Sequence, residues 1–558
     1  MTKIKIFVLA TLFLTVSAES FACTNFLVGK KASEDGSTMI SYSADSYWLY
    51  GALYYFPRAD HSKGTMLKVY DWDSGEYRGL IREVSHTYKV VGNMNEHQVS
   101  IGETTFGGRE ELENPKGILD YGSLIYTALQ RAKTAREAIQ IMTSLVEEYG
   151  YGSSGESFSI ADPNEVWIME MIGKGPEQKG AVWVAIKIPD DCISAHANQA
   201  RITEIPFNDK KNCIYSEDVV SFARKKGYFS GKDADFSFSD TYNPLDFGGL
   251  RFCEARVWAF FRELNPAMDK FISYINAETR ERMPLYIKPT NKVSVEKIKN
   301  LMRNHYEGTP LDMTVGAGSG AFNSPFRNSP LSFKVDGVEY FHERPVATQQ
   351  TGFSFVAQMR SWLPNEIGGL FWFGVDDASI GMYVPIYCSV NAVPNCFDIN
   401  NGSMFDFSWT SAFWINNWVG SMVYNRYSDL IKEVKVTQDK WDTDFKYSVM
   451  ATDNIALDIY SSSVTDVEQF LTQFSTNQAQ NVAHAWKLMG ERFMIKYLDG
   501  VVKGTDEKGN FLKTDKNIPT KSGVIRPGYP EDFARKTFVD PDKDRFRVRT
   551  QKEMDDRW

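Results

Sequence analysis

The stretch that decides the fold is Cys23-Thr24-Asn25-Phe26-Leu27-Val28-Gly29-Lys30-Lys31-Ala32-Ser33-Glu34-Asp35-Gly36-Ser37. It opens on a cysteine, continues as a short apolar strand and closes on the turn signal Glu34-Asp35-Gly36-Ser37. Residues 38–43 read as a second strand, so Cys23 begins one arm of a hairpin and Asp45 follows the end of the other. What precedes Cys23 looks removable. Lys3 and Lys5 make a basic start, an apolar run covers residues 6–16, and Ser20-Phe21-Ala22 puts small residues at the two positions a signal peptidase reads. Residues 1–22 therefore have the anatomy of a secretory signal peptide, with an apolar run too short to span a bilayer. Cleavage after Ala22 would make Cys23 the N-terminus. A thiol of pKa about 8.5 and an α-amine of pKa about 7.7–8.0 would then share one residue. Nucleophile and base are paired this way in N-terminal-amine catalysis. Two other readings stay open at this point. One is a lipoprotein anchor acylated on sulfur, although the aliphatic residue usual three places earlier is here Ser20. The other is an incidental cysteine near the cleavage point.

Composition narrows the function classes. The chain has 558 residues, 43% apolar and 14% aromatic, enough for a large core. It is long for one domain by a prior of about 150 residues each, yet one elaborated domain with insertions also fits. The net charge of −9 argues against nucleic acid as a main partner, which needs a basic face. No run of 18 apolar residues follows Ala22, so no membrane span is expected in the mature chain. Of the six cysteines, Cys388 and Cys396 are spaced to close a short loop, a pairing that spacing alone leaves open. With seven histidines and no HExxH or CxxC, a zinc peptidase is unsupported.

Further strands are expected at residues 53–55, 66–70, 86–92, 99–102, 157–161, 165–172 and 181–188. Between them, residues 121–132 carry one apolar face, and Thr134 with Glu137 forms a capping box that opens a second helix. Strands, two helices and more strands suggest a layered α/β core. Beyond residue 205, helices are expected at 250–264, 294–304, 422–436 and 467–498, and strands at 353–360, 369–375 and 382–390. The charged, proline-containing residues from 519 onward would wrap over the body or be loosely ordered.

Several groups invite chemistry. Asp45, 22 residues after Cys23, could return beside it in a hairpin and hold the protonated amine; the alternative is a surface turn aspartate. In Ser194-Ala195-His196-Ala197-Asn198-Gln199-Ala200-Arg201, the amide of Asn198 is suited to donate to a developing oxyanion. His196 could be a base, though a satisfied structural histidine is the commoner case. Arg251 and Arg256 frame Cys253 on an expected helix, and either could bring charge to a pocket or lie on a solvated face. Gly316-Ala317-Gly318-Ser319-Gly320-Ala321 fits GxGxxA, but Pro325 opposes the helix a dinucleotide site needs, so it reads as a tight turn. GxSxG is absent.

Taken together, residues 22–37, 195–202, 312–323, 358–364 and 384–386 resemble the dipeptidase A group of N-terminal-nucleophile (Ntn) cysteine peptidases, relatives of the choloylglycine hydrolases and penicillin V acylases. The resemblance runs from Cys23 to about Cys388. It implies an α+β fold, a four-layer αββα sandwich, with residues 23–400 as catalytic domain and 401–558 as a mostly helical C-terminal elaboration. It implies hydrolysis of dipeptides or short peptides through a thioester, with no metal or organic cofactor, in an exported, periplasmic or extracellular protein. Cys23 matches the nucleophile, Asp45 the aspartate that contacts it and Asn198 the oxyanion residue, with backbone N–H groups near Glu103 and Thr104 as further donors. Arg256 matches a site arginine. In the wider superfamily an arginine stands three residues before the aspartate; here that place is Tyr42, which argues against bile-salt hydrolysis. Glu103 is a candidate acidic partner for a substrate amine. The alternatives are an amidase of N-acyl amino acids or conjugated bile salts and, in another class, a Cys23-acylated peptide-binding lipoprotein.

Overall fold

The Glu34–Ser37 turn forms because Asp35 Oδ1 gathers three donors: Ser33 Oγ at 2.7 Å, Ser37 N at 3.0 Å and Ser37 Oγ at 2.6 Å. Gly36 supplies the left-handed φ of +86°. This turn folds Asn25–Val28 back on Thr38–Asp45 in an antiparallel hairpin, with Leu27 opposite Ile40 and Thr24 bridging Ser43. The computed structural model describes residues 23–538 and 547–556, so the expected signal, residues 1–22, lies outside the described residues.

The hairpin is the centre of a seven-stranded antiparallel sheet in the order Tyr286–Ile287, Ile193–His196, Asn25–Val28, Thr38–Asp45, Thr351–Met359, Gly369–Val375 and Val384–Tyr387. An eight-stranded antiparallel sheet faces it, in the order Cys213–Tyr215, Ala181–Lys187, Val166–Gly173, Gly155–Ala161, Ser100–Gly107, Met94–Asn95, Val90–Val91 and Tyr55–Phe56. Thr38–Asp45 packs against Ser100–Gly107, Gly155–Ala161 and Val166–Gly173 of that second sheet. Every residue of Thr38–Asp45, Gly155–Ala161 and Val166–Gly173 is buried. Strands covered on both faces lose the inside-outside alternation of a half-exposed sheet. The two sheets approach closely at Gly102, where a Cβ would meet the Asn25 amide at 2.8 Å and Tyr42 at 3.2 Å.

Tyr121–Leu129 and Ala135–Tyr149 cover the outer face of the eight-stranded sheet. Thr134 caps the second through Glu137 N, but the Glu137 carboxylate reaches Lys133 N rather than Thr134, so only half of the expected box closes. The other sheet meets Ala255–Leu264, Val295–Met302, Ala412–Asn425 and Val464–Lys496. The last of these pairs with Tyr427–Tyr460.

Some expectations need correction. The helix expected over 422–436 is two helices, broken at Arg426 (φ −144°, ψ 53°), whose guanidinium lies over Phe322 and Tyr497. The strand expected over 86–92 splits into His86–Thr87 and Val90–Val91, and only the latter joins a large sheet. The strand expected over 382–390 shortens to Val384–Tyr387. The Cys388–Cys396 bridge is not formed. All six cysteines are free, and Cys388 packs against Gly369 with its thiol toward Asn365 O at 3.4 Å. The glycine-rich 316–321 segment is a tight turn, with Gly316 at φ +82° and Gly320 at φ +62°, and no helix follows it. Among the described residues no helix is long and apolar enough to cross a membrane.

Candidate active site

Three strand ends meet where Cys23 enters the first strand, Asp45 ends the second and Thr351 opens the third. Cys23 is 5% exposed. Its Sγ lies 3.6 Å from Glu103 Oε1 and 3.7 Å from Tyr42 Oη. Burial, then the charges of Glu103 and Asp45, push the thiol pKa well above its usual value, while a hydrogen bond from the Asp45 backbone works the other way. These surroundings favour the protonated thiol over the reactive thiolate.

Arg256 fixes the backbone around this thiol. The helix Ala255–Leu264 is entered through a π-helical turn, Gly249–Glu254, an irregularity frequent at functional sites. Arg256 is 1% exposed, and its Nε donates to Phe252 O at 2.7 Å. Nη1 donates to Cys23 O at 2.5 Å and Thr24 Oγ1 at 2.8 Å. Nη2 donates to Ala197 O at 3.1 Å and Asn198 Oδ1 at 2.9 Å. One guanidinium thus ties Cys23 to Asn198, a five-donor geometry that lysine cannot reproduce. Asn198 takes a left-handed φ of +62°, which asparagine tolerates, and its Nδ2 donates to Thr105 O at 2.7 Å.

Asp45 is not a surface turn residue. It is 1% exposed, accepts from Arg344 Nη2 at 2.5 Å and Thr351 Oγ1 at 2.6 Å, and sits close enough to Cys23 to influence its ionisation. Burial raises its pKa, against the pull of Arg344. The four sequence-selected residues, Cys23, Asp45, Asn198 and Arg256, therefore come together.

Tyr42 occupies the place of the missing arginine and turns its hydroxyl to Glu103 Oε1 at 2.5 Å. With its amide oriented to satisfy its neighbours, Asn25 donates to Glu103 O and accepts from Glu103 N, both at 3.1 Å. That backbone N–H is engaged within the protein, so the further oxyanion donor expected at Glu103 is not supplied there. His196 is 0% exposed and both ring nitrogens are occupied, Nδ1 with Thr104 Oγ1 and Nε2 with Ser159 Oγ, each at 2.7 Å. Burial, and secondarily Arg201, lowers its pKa to about 3, so it is a neutral structural residue. Arg251 is held away by Glu343 and Asn276. Sequence reasoning missed Arg344. It stands alone between a surface hairpin and Pro345, with no motif to mark it. Among the described residues no three His, Cys, Asp or Glu side chains are grouped as a metal site.

The chain matches the sequence pattern of peptidase family C69 over residues 22–52 and 52–440. It is 26% identical over 394 residues to a "Probable dipeptidase" of Salmonella dublin, covering 66% of this chain and 81% of the relative. A "Probable dipeptidase" of Latilactobacillus sakei is 24% identical over 477 residues, 81% of this chain and 91% of the relative. A "Probable dipeptidase B" of Streptococcus pyogenes serotype M1 is 26% identical over 454 residues, covering 76% and 84%. The family match begins at the residue before Cys23 and spans all four site residues. The chain belongs to peptidase family C69, as a cysteine-type enzyme of the dipeptidase A-like group.

Proposed function

We propose that this protein is an exported dipeptidase that uses Cys23, exposed as the mature N-terminus by loss of residues 1–22, as its nucleophile. The observation that carries this reading is the buried Cys23 thiol, protonated by its surroundings and tied through Arg256 to Asn198. Such a thiol needs a base within reach, and the α-amine released by cleavage would be on the same residue. The amine takes the thiol proton, directly or through a water. Sulfur bonds to the peptide carbonyl carbon, and the carbonyl oxygen becomes an oxyanion held by the Asn198 amide. Removing one such donor typically costs about 2.7–4 kcal/mol of barrier. The Cys23 ammonium then gives its proton to the departing amine as the peptide C–N bond breaks. Water hydrolyses the thioester and restores the thiol. Asp45, fixed by Arg344 and Thr351, orients the amine, and Arg256 sets the position of both Cys23 and Asn198.

The same reading takes the two facing sheets and their outer helices as a four-layer αββα Ntn sandwich spanning residues 23–400. The helices after residue 401 form an elaboration on it, and the protein works in the periplasm or outside the cell. Burial of Cys23 between the sheets supports the enzyme over a lipid-anchored protein, whose acylated sulfur would have to reach a membrane surface. The test is Cys23→Ala. Hydrolysis of alanyl-leucine should vanish while the thermal unfolding midpoint is kept. Retained hydrolysis would move the nucleophile elsewhere.

A further inference from the structure

Buried carboxylates in this chain are, in several places, matched by a cation. Asp45 has Arg344 and Glu254 has Arg201, and the partly buried Asp453 and Asp442 have Arg360 and Lys299. Glu170 is met instead by the backbone N–H groups of Arg201 and Ile202. Asp376 and Asp377 are buried with neutral partners only, and the carboxyls near the Cys23 thiol are of this second kind. Glu103 and Glu156 are 2% and 0% exposed, and among the described residues neither forms an ion pair. Glu103 Oε1 accepts from Tyr42, and Glu156 Oε1 accepts from Thr105 Oγ1 at 2.8 Å. Beyond these contacts the two carboxyls hydrogen-bond to each other, and no other donor reaches the second oxygen, Oε2, of either. Asp73 lies toward the exposed side, accepting from Tyr121 Oη at 2.8 Å, and its charge is felt at both glutamates. A buried carboxylate with no cation is costly, so the one negative charge this hydrogen-bonded pair can carry, 3.6 Å from the Cys23 thiol, marks a place suited to a positive charge.

The chemistry of a dipeptide says which charge. The α-ammonium sits on the carbon next to the scissile carbonyl, about 2.5 Å from the carbonyl carbon. With that carbon about 3–3.5 Å from sulfur in a near-attack pose, the ammonium falls within about 5 Å of Cys23 Sγ. Glu103 Oε1 is already 3.6 Å from that atom.

Resting on the dipeptidase reading above, we infer that Glu103, backed by Glu156, is the subsite that binds the α-ammonium of the residue whose carbonyl is attacked, restricting the enzyme to substrates with a free N-terminus there. Burial raises both carboxyls, Glu103 to about 7, and the facing Glu103 charge lifts Glu156 further. The pair therefore holds at least one proton at neutral pH, and Glu103 is the member that ionises first. Tyr42 meets Glu103 with a neutral hydroxyl, which leaves a charge there available to a cationic substrate.

The experiment uses protein beginning at Cys23, with alanyl-leucine and N-acetyl-alanyl-leucine as substrates. The wild type should favour the free amine at least 100-fold in kcat/KM. Glu103→Gln should raise KM for alanyl-leucine at least tenfold with a smaller change in kcat, and cut the free-to-acetylated ratio at least tenfold. A second measurement needs no variant: alaninamide should protect Cys23 of the wild type from iodoacetamide, and N-acetyl-alaninamide should not. Equal hydrolysis of both peptides by the wild type, or equal protection by both amides, would overturn the subsite and leave the dipeptidase standing. A fall in kcat at unchanged KM in Glu103→Gln would make Glu103 a partner of the thiol instead. Failure of the wild type to cleave either peptide would remove the dipeptidase reading, and the subsite with it.

Discussion

Cys23 is placed where its environment opposes ionisation, so the residues that matter around it are those that set positions and accept protons. Arg256 is the clearest of these. It holds Cys23 O, Thr24 Oγ1, Ala197 O and Asn198 Oδ1 at once. Arg256→Lys keeps the charge and loses the fork. Hydrogen bonds to charged groups are worth about 1.5–3 kcal/mol each, so kcat/KM on dipeptides should fall about 10- to 100-fold. A wild-type value would show that Asn198 and Cys23 are positioned without it. At this scale the sequence was informative for Cys23, because a signal-like leader, a strand and an Asp-Gly turn mark it together. Asp45 and Asn198 were legible through their spacing and the resemblance. The Tyr42–Glu103 contact and Arg344 were not, because each joins positions far apart in the chain, and no local pattern records which side chains two packed sheets bring face to face.

The elements were mostly readable where a strong local signal acts. The Asp35 turn, the helix capped by Thr134 and the apolar strands at 66–70 and 369–375 fall where periodicity and turn chemistry put them. The misses follow tertiary forces. Arg426 breaks an otherwise helical run because its guanidinium packs on two rings from other segments. The strand at 100–107 outruns its apolar signal because Glu103 and Thr104 are polar residues buried at the sheet interface. Among the links that fasten the helices after residue 411 to the sheet is a network around Asp453. Asp453 on Tyr427–Tyr460 takes Arg360 Nη1 at 2.5 Å and Tyr387 Oη at 2.7 Å. Asp453→Ala would leave the buried Arg360 charge without its carboxylate, a loss typically of about 3–5 kcal/mol. Urea unfolding should show that loss as a lowered midpoint; a change below about 1 kcal/mol would mean the helices are held without the Asp453–Arg360 pair.

At the scale of the whole molecule, the hairpin that starts at Cys23 is the centre of one sheet, and the other sheet brings Glu103 to the same thiol. The N-terminus of the mature chain would therefore be a buried catalytic group, and the state of that one peptide bond would control the enzyme. The most direct test compares dipeptide hydrolysis by two purified forms, one beginning at Cys23 and one with Ala22 retained in front. The account predicts activity only in the first, because only there does the residue carry a free amine to take the thiol proton. Equal activity in both, with mass spectrometry showing Ala22 still attached, would contradict it.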